Sequence, residues 1–245
     1  MGDYFKNRHK GIEGQRHRVT QNLTLCLCAF VPNQMKILLH ICCSSCALYP
    51  VKIIREEGHD FTGFWFNPNI QPYEEYELRL NSLKALADRW RIDMIYNTEE
   101  TIQNPPLPPF AKGGNSGSPT LEKGDIGGFL DENHKLKVEN FQISKRPERC
   151  TSCYKMRLEK TAEEAQRQGF DAFSTTLLIS PYQDFEQIIS IGSELAEKHN
   201  VIFYFRDFRQ YFREAMAYAK EMGLYRQKYC GCIYSREERF AQIQK

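Results

Sequence analysis

The chain has 245 residues, a formal net charge of +2, 41% hydrophobic residues and 26% charged residues. That length supports one full α/β core, or one domain with an appendage. The composition is that of an ordinary globular protein, no stretch approaches the length of a membrane span, and so balanced a charge singles out no partner. The slight basicity sits in residues 1–34, which carry a net +3, while the remainder carries −1. These first residues read as an extension, either disordered or upstream of a true start at Met35. Their apolar run, residues 23–31, follows basic residues as in a signal peptide, but it is short and lacks a convincing cleavage site. Cys26 and Cys28 go with the extension.

Residues 36–41 (KILLHI) form a short apolar run, the pattern of a buried parallel strand. Residues 47–58 read as a helix closed by Gly58. Residues 61–66 (FTGFWF) are a second strand, stopped by Asn67-Pro68-Asn69. Residues 73–90 form a long amphipathic helix with Leu78, Leu83, Leu86 and Trp90 at helical spacing, and residues 92–96 a third strand. Residues 105–128 then hold five Pro and six Gly in 24 positions. Such a stretch cannot bury enough apolar surface to offset its ordering entropy, so it reads as a flexible insertion at about 103–140 with no catalytic part. Beyond it come a helix over 150–168, a strand over 172–178, a helix over 184–199, a strand over 201–205, a helix over 211–222 and a last helix over 235–243. Strands alternating with helices predict a three-layer α/β fold with a mainly parallel sheet, Rossmann-like or PP-loop-like, in one catalytic domain over 35–245. In such sheets ligands bind at the carboxyl ends of the strands. Cys42 and Cys43, Asn67 and Asn69, and Thr175 and Thr176 are all placed there.

Seven of the nine cysteines fall into three tight groups. Cys42-Cys43 with Cys46 follows the first strand, Cys150 and Cys153 form a CxxC, and Cys230 and Cys232 form a CxC. Such groups point to metal binding or thiol redox chemistry in a reducing compartment, not to disulfide stapling. Adjacent cysteines are expected to diverge, which suits a polynuclear cluster better than one tetrahedral ion. The CxxC at a helix start would have its thiolates favoured by unbonded amides. Two plus two thiolates make the four ligands of a 4Fe-4S cluster, and zinc on one CxxC and another pair is the alternative. Gly231 lets the CxC bend sharply. That pair is either a dithiol/disulfide couple or two more metal ligands.

Residues 202–245 hold eleven aromatics and nine Lys/Arg against five Asp/Glu. Interleaved Arg and Tyr can follow phosphates and stack on unpaired bases. Arg206, Arg209, Arg213, Arg226 and Lys228 are the RNA-contact candidates, while Phe203, Phe205, Phe212 and Phe240 are expected in the core.

Five segments taken together, LLHICCSSC (38–46), NPNIQPYEEYELR (67–79), ERCTSCYKMRL (148–158), FSTTLLISPYQD (173–184) and YCGCIYS (229–235), resemble the epoxyqueuosine reductases of the QueH type. The resemblance implies reduction of the epoxide of epoxyqueuosine to an alkene at the tRNA wobble position, the last step of queuosine synthesis, in the cytoplasm. It implies a 4Fe-4S cluster on Cys42, Cys43, Cys150 and Cys153, a redox-active Cys230/Cys232 pair, and an electron donor that the sequence does not identify. It also implies non-cysteine ligation and an additional mononuclear iron, for which Asp184 and Cys46 are the candidates. Tyr73 and Tyr229 are candidate proton donors. The Pro/Gly insertion, the extension, and serine where the family pattern has proline before Cys46 are departures; none removes a motif residue. Two other readings compete. A zinc-stabilised RNA-binding module without catalysis explains the cysteines but gives no reason for a separate CxC. An ATP-dependent tRNA thiolation enzyme would need a glycine-rich loop after the first strand, and Cys42-Cys43-Ser44-Ser45-Cys46 contains none.

Overall fold

The computed structural model describes residues 34–98 and 146–243. The expectations for the extension, for Cys26 and Cys28 and for the insertion lie outside the described residues. In chain order come β1 (Lys36–His40), α1 (Ser44–Glu56), β2 (Asp60–Trp65), α2 (Tyr73–Trp90), β3 (Met94–Tyr96), α3 (Arg146–Gln168), β4 (Ala172–Thr175), α4 (Phe185–His199), β5 (Ile202–Phe203), α5 (Phe212–Glu221) and α6 (Ile233–Ile243). Single 3-10 turns occupy Thr176–Ile179 and Arg209–Tyr211.

The apolar run of β1 is buried after Lys36 because the strand is central. It pairs in parallel with β2 on one side and β4 on the other. The strand order is β3-β2-β1-β4-β5 with every pairing parallel, so the α/β expectation holds. The chain moves outward from β1 to β3, then restarts beside β1 at β4. Right-handed crossovers therefore set α1 and α2 on one face and α3 and α4 on the other. The packing agrees: α1 touches α2 and α5, whereas α3 lies on α4, β1 and β4. On the second face, a Cβ on Gly192 of α4 would stand 2.3 Å from the Phe203 ring of β5, so only glycine allows this approach.

Several boundaries differ from expectation. Helix α1 starts at Ser44, directly after the cysteine pair, and tolerates Pro50 inside it. The strand expected over 172–178 ends at Thr175, whose hydroxyl accepts from the Leu177 amide and turns the chain into a 3-10 turn. Leu78 is 48% exposed, and the buried stripe of α2 runs instead through Tyr76, Leu80, Leu83 and Leu86. Phe203 is buried and Phe212 packs against the core, but Phe205 and Phe240 are about half exposed at 53% and 49%.

Candidate active site

The strand order reverses between β1 and β4, and open parallel sheets offer their crevice at that point. Cys42 and Cys43 leave β1 there. The Cys42 amide donates to Thr176 Oγ1 at 3.1 Å, and the Thr176 hydroxyl lies 3.4 Å from Cys42 Sγ, so the turn after β4 holds the loop after β1. Cys43 is the N-cap of α1, with extended backbone, and its sulfur accepts from the Cys46 amide at 3.4 Å. That capping contact folds the Cys43 side chain over the first turn. As a result Cys42 and Cys43 do not diverge; their sulfurs are 3.8 Å apart. The sulfurs of Cys42, Cys43 and Cys46 all lie within 4.8 Å of one another, and all three residues are buried.

Burial opposes a charge on Cys43, but the Cys42 and Cys46 thiols, Arg79 and Ser45 outweigh it and hold its thiol well below the ordinary range. The hydrogen bond to Cys43 pushes Cys42 up to about 12. Contacts with Cys42 and Cys43, and burial, raise Cys46 well above its usual value. Within the trio Cys43 is therefore the thiol most disposed to ionise. Gln227 completes the surroundings, its Nε2 3.4 Å from Cys46 Sγ and its Oε1 accepting from Ser45 at 3.1 Å.

A chain of hydrogen bonds leads from this trio to the CxxC. Asn67 Nδ2 donates to the Ile41 carbonyl at 2.9 Å. The buried Arg157 guanidinium donates to Asn67 Oδ1 at 2.7 Å and to Asn69 Oδ1 at 2.6 Å. Asn69 Nδ2 in turn donates to Cys153 Sγ at 3.1 Å. Arg146 is the first described residue of helix α3 and Pro147 has no N–H, so Cys150 and Cys153 stand fifth and eighth along the described helix and not at its start. Side-chain donors such as Asn69, not the helix start, serve Cys153.

The CxC closes the crevice from the C-terminal side. Gly231 at φ +129 has its carbonyl bonded by the Gln71 amide at 2.8 Å. Buried Arg79 of α2 donates to the Tyr229 and Cys230 carbonyls, each at 2.9 Å, and pairs with Glu75 at 2.7 Å. Cys230 is exposed by surface area, yet protein crowds its thiol, and with the nearby Cys153 sulfur pushes it up to about 12. Exposure and crowding coexist where a residue faces a cleft. Gln183 Nε2 lies 3.7 Å from Cys230 Sγ, and Gln183 Oε1 accepts from the Tyr154 hydroxyl at 2.9 Å. Cys232 Sγ is 3.5 Å from the Ser235 hydroxyl, which also accepts from the Gly231 amide. Among the described residues no cysteine is in a disulfide.

The family model described as "Epoxyqueuosine reductase QueH" matches residues 37–104 and 126–238. The chain belongs to the QueH family. Curated epoxyqueuosine reductases QueH similar to it include that of Thermotoga maritima, 34% identical over 85% of this chain and 96% of the relative. That of Dehalococcoides mccartyi is 30% identical over 84% and 96%, and that of Haemophilus influenzae 33% identical over 82% and 71%. The five segments read from the sequence fall inside the matched residues.

Of the QueH residues expected at the site, the described structure groups Cys42 and Cys43 with Cys46, sets Cys153 at the end of the Asn67–Arg157–Asn69 chain, and places Cys230 facing the same crevice. Cys150 and Cys153 are not within the 4.8 Å group. Asp184 caps α4, its Oδ1 accepting from the Gln187 amide at 3.1 Å, while its own amide donates to Tyr154 at 3.1 Å. Tyr229 donates to the Gln71 carbonyl at 2.6 Å, and Tyr73 is 53% exposed. Arg206 pairs with Glu57, and Arg209 with Asp207 over the Phe185 ring. Arg79, Arg157, Tyr154 and Gln183 escaped the sequence reading although each lies in a quoted segment. Their signal was position: Arg79 and Arg157 each fall on the buried face of a helix.

The donor set fits an iron–sulfur group. It supplies soft thiol ligands, with Thr176, the Cys46 amide, Asn69 and Gln227 directed at sulfur. Two buried guanidiniums, Arg79 and Arg157, stand behind them. Hydrogen bonds to sulfur and buried positive charge are the means by which a protein stabilises an anionic thiolate cluster. Among the described residues no helix is long and apolar enough to cross a membrane.

Proposed function

We propose that this chain reduces the epoxide of epoxyqueuosine at the tRNA wobble position to queuosine, in the cytoplasm. Cys42, Cys43, Cys150 and Cys153 hold a 4Fe-4S cluster, with Cys46 and Asp184 at hand for an additional mononuclear iron. When bound, such a group supplies Lewis acidity toward an oxygen and single-electron transfer. Loss of the epoxide oxygen as water takes two electrons and two protons. Oxidation of the Cys230/Cys232 dithiol to a disulfide releases two of each, and an external donor returns them for the next turnover. Gln183 links the Cys230 sulfur to the Tyr154 hydroxyl, and Arg79 fixes the backbone on which the pair is carried. Tyr154, facing Cys150, Cys153 and Cys230, joins Tyr73 and Tyr229 as a proton donor candidate.

The observation that carries this reading is the buried trio of Cys42, Cys43 and Cys46 at the strand-order reversal in a chain of this family. The test is anaerobic purification with iron, sulfide and zinc analysis, followed by turnover on epoxyqueuosine-containing tRNA. About four iron and four sulfide per chain, with absorption bleached by reductant, is the expected result. Zinc without sulfide, and no turnover, sinks the reading and promotes the RNA-binding module. One feature favours that second reading: the 3.8 Å between Cys42 and Cys43 equals the sulfur spacing, roughly 3.8 Å, of a tetrahedral site with 2.3 Å zinc–sulfur bonds.

A further inference from the structure

Away from the crevice, on the outer face of the α3–α4 layer, three metal-ligating side chains meet. Glu159 and Glu163 are one turn apart on α3, and His199 is the last residue of α4. Their ligand atoms lie within 4.8 Å of one another. The histidine is the telling member. It is only 8% exposed, its Nδ1 is 3.4 Å from Gln166 Oε1, and its Nε2 is buried without a hydrogen-bond partner. With the ring proton on Nδ1, toward that oxygen, the lone pair is on Nε2. Nε2 stands 3.9 Å from Glu159 Oε1. A buried acceptor turned toward an anion is costly. A histidine whose second nitrogen is anchored by an outer oxygen is, in turn, the usual form of a metal-ligating one.

We propose that Glu159, Glu163 and His199 bind one divalent cation of the zinc type. Imidazole with two carboxylates suits zinc and its first-row neighbours, whereas magnesium and calcium favour all-oxygen sites. Glu163 is exposed, so water completes the shell from the solvent side. The competitor is Lys198, whose ammonium pairs with Glu159 and holds it below the usual carboxylate range. The Lys198 side chain is 57% exposed and can swing into solvent without leaving a buried gap. The bound ion ties the end of α4 to the middle of α3. Glu159 is six residues beyond Cys153, about 9 Å along the helix, so the ion steadies the helix that presents the CxxC.

The test is calorimetric titration of the anaerobically purified protein with Zn²⁺, alongside Glu163→Gln, His199→Gln and Lys198→Ala. Free thiols take zinc in every sample, so the readout is the difference between samples. Wild type should take one more equivalent than Glu163→Gln and His199→Gln, and that equivalent should bind several-fold more tightly in Lys198→Ala. Iron content should be the same in all four, since none of these side chains belongs to the crevice. Equal zinc stoichiometry in wild type and Glu163→Gln overturns the proposal. Glu163 is exposed and its variant keeps the fold, so this comparison stands even where His199→Gln fails to fold.

Discussion

Arg79→Met isolates the ion that joins α2 to the CxC. Arg79 has no solvent exposure, and its partner Glu75 has 7%. The substitution keeps the aliphatic bulk but deletes the donors to Glu75, Tyr229 and Cys230, leaving Glu75 with the Tyr225 hydroxyl. Removing one partner of a buried pair costs about 3–5 kcal/mol. That is a large share of a total stability of roughly 5–15 kcal/mol. With a urea m-value of about 2–3 kcal/mol/M, the midpoint should fall by about 1–2 M. Adding Glu75→Gln to Arg79→Met should recover part of the loss, because the orphaned charge is then gone. Arg79→Lys should not rescue, since an ammonium cannot serve a carboxylate and two carbonyls as the planar fork does. A second readout is alkylation: Cys230 and Cys232 should react faster once the two carbonyls lose their anchor. A midpoint shift under about 0.5 M, with alkylation unchanged, would show that Arg79 does not organise the CxC.

Acid should weaken the fold through His40. Burial, then the Arg157 charge, lowers it from 6.5 to about 3, so the folded ring is neutral. Its contribution is full above pH 6.5 and is lost as pH falls toward 3. The gap corresponds to about 5 kcal/mol at full titration, and urea midpoints between pH 7 and 4 should fall more steeply in wild type than in His40→Gln. Gly192→Ala forces a Cβ toward the Phe203 ring and should cost about 1–3 kcal/mol, read as a lower thermal midpoint. Replacing Cys230 and Cys232 by serine should leave iron content intact and abolish multiple turnover on epoxyqueuosine-containing tRNA; sustained turnover refutes the dithiol role. Arg157→Lys should break the link through Asn67 and Asn69, giving a reductase that loses iron faster to chelator than wild type.

Much of the fold was legible because local pattern and final environment agree. The KILLH run is a central strand, and residues 73–90 form the helix their periodicity describes. The failures occur where tertiary context overrides pattern. The strand expected to run to 178 stops at Thr175, whose hydroxyl accepts from the Leu177 amide and turns the chain. Leu78 fits the apolar spacing of α2 but faces outward. Arg79 and Arg157 were not singled out because arginine is mostly exposed as a residue type, whereas these two are among the most deeply buried side chains. The cysteine groups were visible as groups, but the closeness of Cys42 to Cys43 was not. It follows from Cys43 being a helix cap, and the start of α1 had been placed three residues too late.

The bond from the Cys42 amide to Thr176 spans 134 positions of the chain, and that from Gln227 to Cys46 spans 181. The site is therefore one of the last things the molecule can make. At a synthesis rate of about 5–20 residues per second, roughly 10–40 s separate the appearance of Cys43 from that of Cys232. Throughout that interval the first thiols lack the groups that later shield them. A nascent chain in an oxidising setting would expose Cys42, Cys43 and Cys46 to oxidation before the pocket that shields them existed.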